Sequence, residues 1–155
     1  MIQRIQSLYL LLTTVFSVLF LNVSIIKFVD KSKDTLIINF GGINKITTGG
    51  GTELIEKLIP FSILLLLIPV LSIITIFFFK KRKLQIEFTK ALLGIIVILI
   101  CILGYYTFYV IRKFNAEIVP GANLILPVLM TICTYLAYRG IRKDVDLVKS
   151  YDRLR

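Results

Sequence analysis

The side chains in this sequence that could bind a charged ligand cluster between two long apolar runs. Five cations could hold the phosphate of a phospholipid headgroup: Lys80, Lys81, Arg82, Lys83 and Lys90. Glu87 precedes Lys90 by three residues, so the two would also face each other on a helix, where such a pair contributes about 0.2–0.5 kcal/mol. The segment therefore indicates electrostatic binding of lipid or, as the alternative, an exposed helix surface with one weak ion pair.

Neither the cysteines nor the acidic residues form a pattern typical of a catalytic or metal site. The sequence has no histidine, and both cysteines, Cys101 and Cys133, lie inside apolar runs, where a thiol behaves as a small apolar side chain. A zinc site needs several closely spaced ligands, and a catalytic dyad needs a nucleophile or second carboxylate beside Glu87. We therefore predict no metal, no cofactor and no enzymatic activity.

Four long apolar runs must position these groups. They cover residues 5–26, 58–79, 91–111 and about 120–138, and 57% of the chain is hydrophobic. About 20 apolar residues allow a helix to cross about 30 Å of hydrocarbon, and none of the four runs contains a charge of the kind that marks an intramembrane site. The pattern predicts an all-α membrane protein, a four-helix transmembrane bundle with up-down-up-down topology.

The distribution of basic residues predicts the orientation. Four crossings place both termini on one side, and that side, with the loop at 80–90, holds most of the 19 lysines and arginines. The positive-inside rule then predicts a multi-pass protein of the bacterial inner (cytoplasmic) membrane with both termini in the cytoplasm. We attribute the net charge of +10 to this orientation and to anionic lipid. We expect no binding of nucleic acid, because no aromatic and basic surface accompanies the charge.

The loop at residues 27–57 predicts some structure outside the membrane. Two β-prone stretches, 35–40 and 43–48, flank Gly41 and Gly42, which predicts a short periplasmic β-hairpin. An isolated ribbon is marginal in water, so we expect it against the helices or another protein. In the alternative interpretation, the loop is only a spacer.

Residues 1–138 thus form the bundle, and residues 139–155 form a cytoplasmic amphipathic tail. Ile141, Val145 and Val148 fall on one helical face. Acidic residues among the bases favour a protein partner over lipid, although a solvated extension is the alternative. The candidate docking residues are Ile141, Val145, Val148, Asp152, Arg153 and Arg155.

Both termini carry distinctive motifs. The opening "MIQRIQSLYLLL" and the ending "DVDLVKSYDRLR" resemble an uncharacterised family of small four-span inner-membrane proteins from Bacteroidota-type bacteria, a domain of unknown function. The resemblance implies topology and compartment but no activity. It also directs attention to the two ends, which can meet in an even-span bundle, with Arg4 and Asp152 as one expected contact.

These features favour a non-enzymatic accessory or scaffold subunit of a larger inner-membrane complex. Its partners would be membrane lipids and other inner-membrane protein subunits, contacted through the spans and the tail. The alternative is a small-molecule or lipid transporter, or a lipid-binding membrane protein. A lipid-sized pocket between the second and third spans near Lys90 would favour that alternative.

Overall fold

The apolar runs form four long helices. A computed structural model describes residues 2–30, 34–47, 51–119 and 121–152. The helices are α1 (Ile2–Asn22), α2 (Ile59–Phe77), α3 (Arg82–Phe114) and α4 (Ile125–Asp152), with short 3₁₀ turns at Phe78–Lys80 and Ala122–Leu124. In the described residues, these four helices are long and apolar enough to cross a membrane.

Local sequence sets several helix boundaries. Pro60 lies in the first turn of α2, where its missing N–H would have had no helical acceptor. Asn115 follows α3 with a φ of 46°, the left-handed conformation that ends many helices. The 33 residues of α3 extend about 50 Å at 1.5 Å per residue, so this helix reaches beyond the hydrocarbon at one or both ends.

Each helix buries one face, whose residues recur every three or four positions. The buried positions include Gln6, Leu10, Thr13, Ser17 and Phe20 in α1; Phe61, Leu65, Ile68, Ser72 and Thr75 in α2; Gln85, Thr89, Leu92, Ile96 and Leu99 in α3; and Met130, Thr134, Ala137, Ile141 and Asp144 in α4. Alternation of three and four is the spacing of side-by-side helix packing. α1 and α3 each pack against both α2 and α4.

The described residues outside the helices form a five-stranded antiparallel sheet. Its strands are β1 (Ile26–Val29), β2 (Thr35–Asn39), β3 (Gly42–Ile46), β4 (Thr52–Glu56) and β5 (Glu117–Val119), in the spatial order β4-β3-β2-β1-β5. Because β5 comes from the connection between α3 and α4, the sheet joins both loops at this end of the bundle. We call it the sheet end; at the opposite, tail end, α1 begins and α4 finishes.

The sheet packs its inner face on the helix ends. Ile26, Phe28, Leu36, Ile38 and Ile43 are all buried and belong to one hydrophobic cluster with the helix interior. Polar contacts add to this attachment: Asn123 Nδ2 donates to the Ser24 carbonyl at 2.7 Å, and Ser62 Oγ donates to the Phe40 carbonyl. The sheet and the bundle therefore share a core.

The predicted four long helices are confirmed, but the predicted all-α class with a short hairpin is too simple, because the described residues contain a five-stranded sheet. The hairpin exists as β2 and β3, but its turn is Phe40–Gly41, and Gly42 already pairs with Asn39. Gly42 has a φ of 144°, and a Cβ there would collide with the Glu56 carbonyl oxygen. The larger sheet has a physical reason, since a lone two-stranded ribbon is marginal and extra strands with an apolar face stabilise it.

An ion pair reinforces the hairpin. Lys45 Nζ lies 2.9 Å from Asp34 Oδ2. The hydrogen bond and the charge of Asp34 raise the pKa of Lys45 above its ordinary value of 10.5. This pair ties the beginning of β2 to the neighbouring strand β3.

Candidate functional site

The interior of the bundle becomes polar towards the tail end. Eight buried polar side chains form what we call the polar layer: Gln6, Thr13, Ser72, Thr75, Gln85, Thr89, Thr134 and Asp144. They come together because α1 and α3 start at the tail end whereas α2 and α4 finish there. Towards the sheet end, the interior is filled by apolar residues such as Phe20, Phe61 and Met130.

A carboxylate and an amide lie at the edge of the polar layer. Gln6 Nε2 donates to Asp144 Oδ2 at 2.9 Å, and the two residues are only 5% and 7% exposed. Gly140 provides the space, since a Cβ at its position would lie 2.9 Å from Gln6 Cγ. The pair holds the first turns of α1 against the last part of α4.

Further hydrogen bonds connect the other helices. Thr13 Oγ1 and Thr134 Oγ1 lie 3.3 Å apart between α1 and α4, and Ser72 Oγ of α2 donates to the Leu10 carbonyl of α1 at 2.8 Å. Gln85 Nε2 of α3 donates to the Thr75 carbonyl of α2 at 3.3 Å. Bonds between membrane helices contribute about 0.6 kcal/mol on average and up to about 1.7. The polar layer therefore fixes the register of the four helices. Hydrogen bonding between helices is the interaction that its side chains support.

An apolar groove opens on the side of the bundle between α2 and α3. It has a volume of about 360 Å³ and is lined by Pro60, Val97, Ile98, Cys101, Ile102, Tyr105 and Tyr106. These residues lie in the sheet-end half of the bundle. Lys90 is at the other end of α3, so this groove is not the pocket near Lys90 that would favour transport.

A second groove crosses the outer face of the sheet. It has a volume of about 330 Å³ and is lined by Ile37, Asn39, Asn44, Ile46, Thr52 and Leu54. Asn39 Oδ1 is buried there and accepts no hydrogen bond from the described part of the chain. Leu54, in the edge strand β4, is 51% exposed. The outer face thus presents apolar side chains, and the edge strand adds the exposed Leu54.

Comparison with known families covers nearly the whole chain. The model of a family described as "Domain of unknown function (DUF4293)" matches residues 2–154. The chain belongs to this family. The predicted resemblance to a family of unknown function is therefore confirmed. A search of the curated proteins found no match. Because the family description names no function, a function for this chain must be argued from the geometry.

The predicted docking residues differ in their surroundings. Ile141 is 1% exposed and packs inside the bundle, so a partner could reach it only if the helices separated. Val145 is half-buried. The side chains of Val148 and Asp152 lie outside the described residues, as do Arg153 and Arg155, and the predicted contact between Arg4 and Asp152 falls there too. The backbone of α4 nevertheless continues through the tail to Asp152.

The predicted lipid-binding cations lie at the tail end. Lys81, Lys83 and Lys90 are exposed and Arg82 is half-buried, whereas the side chain of Lys80 is outside the described residues. Lys90 Nζ lies 3.1 Å from Glu87 Oε1, with both side chains largely exposed. This contact is the weak helix pair named above as the alternative.

Sequence reasoning missed Gln6 and Asp144 as partners. Asp144 follows three basic residues, Arg139, Arg142 and Lys143, and the sequence interpretation placed it among the acidic residues of the tail that favour a protein partner. One signal could have found it: the alternation of three and four along Thr134, Ala137 and Ile141 continues to Asp144. That spacing places the carboxyl group on the buried face.

Proposed function

We propose that this chain is a non-enzymatic integral membrane protein that serves as an accessory or scaffold subunit of a larger membrane complex. The observation that carries the proposal is the sheet, which both loops at one end of the bundle build together and whose outer face is open. A loop that only joined two spans would not need a five-stranded sheet with its own groove. We infer that the sheet is a docking element for a protein partner, in addition to the spans and the tail.

The sheet has two features that suit a protein partner. β4 is at the end of the strand order, with β3 as its neighbour, so its other edge can accept a strand from another chain. Next to that edge, Leu54 is exposed and lines a groove on the outer face of the sheet. A partner could therefore combine backbone hydrogen bonds with one apolar anchor.

The bundle supplies the rigid base of such a subunit. Its polar layer joins neighbouring helices through side-chain hydrogen bonds, while many outward leucines and isoleucines, such as Leu8, Ile63 and Ile132, are about half-exposed. These outward faces can pack against lipid or against the spans of other subunits.

The charged residues at the tail end support the orientation that we propose. Lys81, Lys83, Arg142 and Lys143 are exposed there. Under the positive-inside rule, this end faces the cytoplasm of a bacterial inner membrane and the sheet lies in the periplasm. The partner at the sheet would then be a periplasmic protein or the external domain of another membrane subunit.

Affinity isolation from gently solubilised native membranes, followed by mass spectrometry, tests the proposal. We would compare the wild-type chain with Leu54→Lys in the sheet and Leu147→Lys in the tail, two exposed leucines at opposite ends. A stoichiometric partner lost with Leu54→Lys supports docking at the sheet, and one lost with Leu147→Lys moves docking to the tail. A partner that both variants retain assigns docking to the spans. Isolation of the wild-type chain as a free monomer would refute the subunit role.

The groove between α2 and α3 favours a second candidate, lipid binding or lipid transport. Its apolar lining and volume of about 360 Å³ suit an acyl chain. Ile102→Trp should fill the groove and reduce the lipid that copurifies with the protein, as measured by native mass spectrometry. Ile132→Trp, on an exposed position of α4, is the matched control, and equal lipid retention by both variants would count against this candidate.

A further inference from the structure

We propose that α4 binds the headgroup of an anionic phospholipid in a groove at the tail end. The groove has a volume of about 420 Å³ and is lined by Arg139, Arg142, Lys143, Asp146 and Leu147. These positions follow one another by three, one, three and one residues, so they share one face of the helix. The cations at 80–90 that the sequence singled out are not part of this lining, so the groove is a separate site.

The charge balance of the groove calls for an anion. The groove has three cationic side chains and, in its described lining, one carboxylate, that of Asp146. Among the described side chains, the carboxylate of Asp144 is also close in sequence, but it is 7% exposed and accepts the hydrogen bond from Gln6 inside the bundle. Burial of Asp144 on the opposite side of α4 thus leaves the exposed side with surplus positive charge.

The depth of the groove favours a lipid phosphate over a soluble anion. The uncharged run of α1 begins at Ile5, directly after Arg4, and the adjacent Gln6 donates to Asp144 and lies beside Gly140 of α4. Residues 139–147 of α4 therefore lie beside the point where the apolar run of α1 begins. Phospholipid headgroups lie at that level of a membrane-spanning bundle. Leu147 adds an apolar surface to the lining.

The side-chain types also fit a phosphate. A guanidinium can donate two parallel hydrogen bonds to phosphate oxygens, and a lysine adds a point charge. Arg142 Nη1 donates to the hydroxyl of Tyr138 at 3.4 Å, a long contact on the exposed surface of the helix. Basic pockets beside transmembrane helices bind anionic headgroups in this way.

Native mass spectrometry of the full-length protein in detergent tests the assignment. The protein would be titrated with phosphatidylglycerol, with phosphatidylcholine and with inorganic phosphate. Each basic residue near a membrane surface contributes about a fivefold change in affinity, so Arg139→Gln combined with Arg142→Gln should weaken phosphatidylglycerol binding about 25-fold. The control combines Lys27→Gln with Lys57→Gln, two exposed lysines of the sheet end, which removes the same charge away from both groups of cations at the tail end. Thermal unfolding of each variant would verify that it is folded.

The expected result is preferential binding of phosphatidylglycerol over phosphatidylcholine that the arginine variant loses and the lysine control largely keeps. Equal losses in the two variants would overturn the site, because the basic surface would then act as a whole. Equal binding of the two lipids would overturn the headgroup assignment, and displacement of phosphatidylglycerol by an equimolar amount of inorganic phosphate would assign the groove to a soluble anion. These readouts do not depend on any partner at the sheet.

Discussion

Breaking the hydrogen bond between Gln6 and Asp144 should destabilise the bundle measurably. The relevant perturbation is a double-mutant cycle of Gln6→Ala, Asp144→Ala and the combined variant. The two side chains are nearly inaccessible and their bond is 2.9 Å long, so removal of one partner leaves the other buried without its bond. Each single variant also loses some packing, but the cycle cancels that part.

The size of the effect follows from the kind of bond. A hydrogen bond to a charged group contributes about 1.5–3 kcal/mol in soluble proteins, whereas bonds between membrane helices average about 0.6 and reach about 1.7 kcal/mol. Because this pair lies where the apolar part of α1 begins, we expect a coupling energy of about 1–2 kcal/mol. Asp144→Asn retains an acceptor oxygen and should lose less than half of that amount.

The assay is reversible unfolding of the full-length protein in mixed micelles, with sodium dodecyl sulfate as the denaturant and helicity as the signal. Single variants that are each about 2 kcal/mol less stable than the wild type, with a double variant about 2–3 kcal/mol less stable, would agree with the expected coupling. If the two single losses instead add to within about 0.5 kcal/mol, the bond contributes nothing to the fold and the reasoning is refuted.

Gly42→Ala should destabilise the sheet by more than 1 kcal/mol, because a Cβ there meets the backbone of β4; Gly41→Ala, with open space around it, is the control, and equal protease resistance of the two variants would contradict this. Gly140→Val should cost about 1–3 kcal/mol in the micelle assay through overpacking, and an unchanged midpoint would mean that the helices have room there. The ion pair of Lys45 with Asp34 raises the pKa of the lysine, so its stabilisation is complete below pH 10.5 and is lost as the pH rises through the higher folded pKa. Part of the protease resistance of the wild-type sheet should therefore be lost at alkaline pH as Lys45 is deprotonated. Lys45→Met should not show this part of the loss, and identical pH profiles of the two proteins would contradict this.

The helices were predictable because their signal is local. An uninterrupted apolar run identifies a candidate span wherever it packs, and each of the four predicted runs overlaps one of the described helices. The end of the first run was overestimated for the same reason: Ile25 and Ile26 are apolar and follow α1 closely, yet they belong to the core of the sheet. The hydrophobicity of a residue indicates that it is buried, but it does not indicate which element of the structure it packs against.

The sheet was predictable only in its central hairpin. β2 and β3 carry a turn between two β-prone stretches, and a turn is a local feature. β5 has three residues, too few for a periodic pattern, and it pairs with β1 from the other loop, as Lys27 opposite Val119 illustrates. No spacing within either loop predicts that pairing.

The sequence by itself determined the four apolar segments, the basic residues that flank them and the terminal motifs of the family, because each of these is a property of neighbouring residues. Only the tertiary structure decided that two loops build one sheet and that Asp144 lies in the interior with Gln6, a residue 138 positions away. The physical reason is that the environment of a polar side chain is set by the helix packed against it. A polar side chain at this spacing of three and four residues is exposed to solvent when no helix covers that face of α4. It forms a buried hydrogen bond when α1 covers the face.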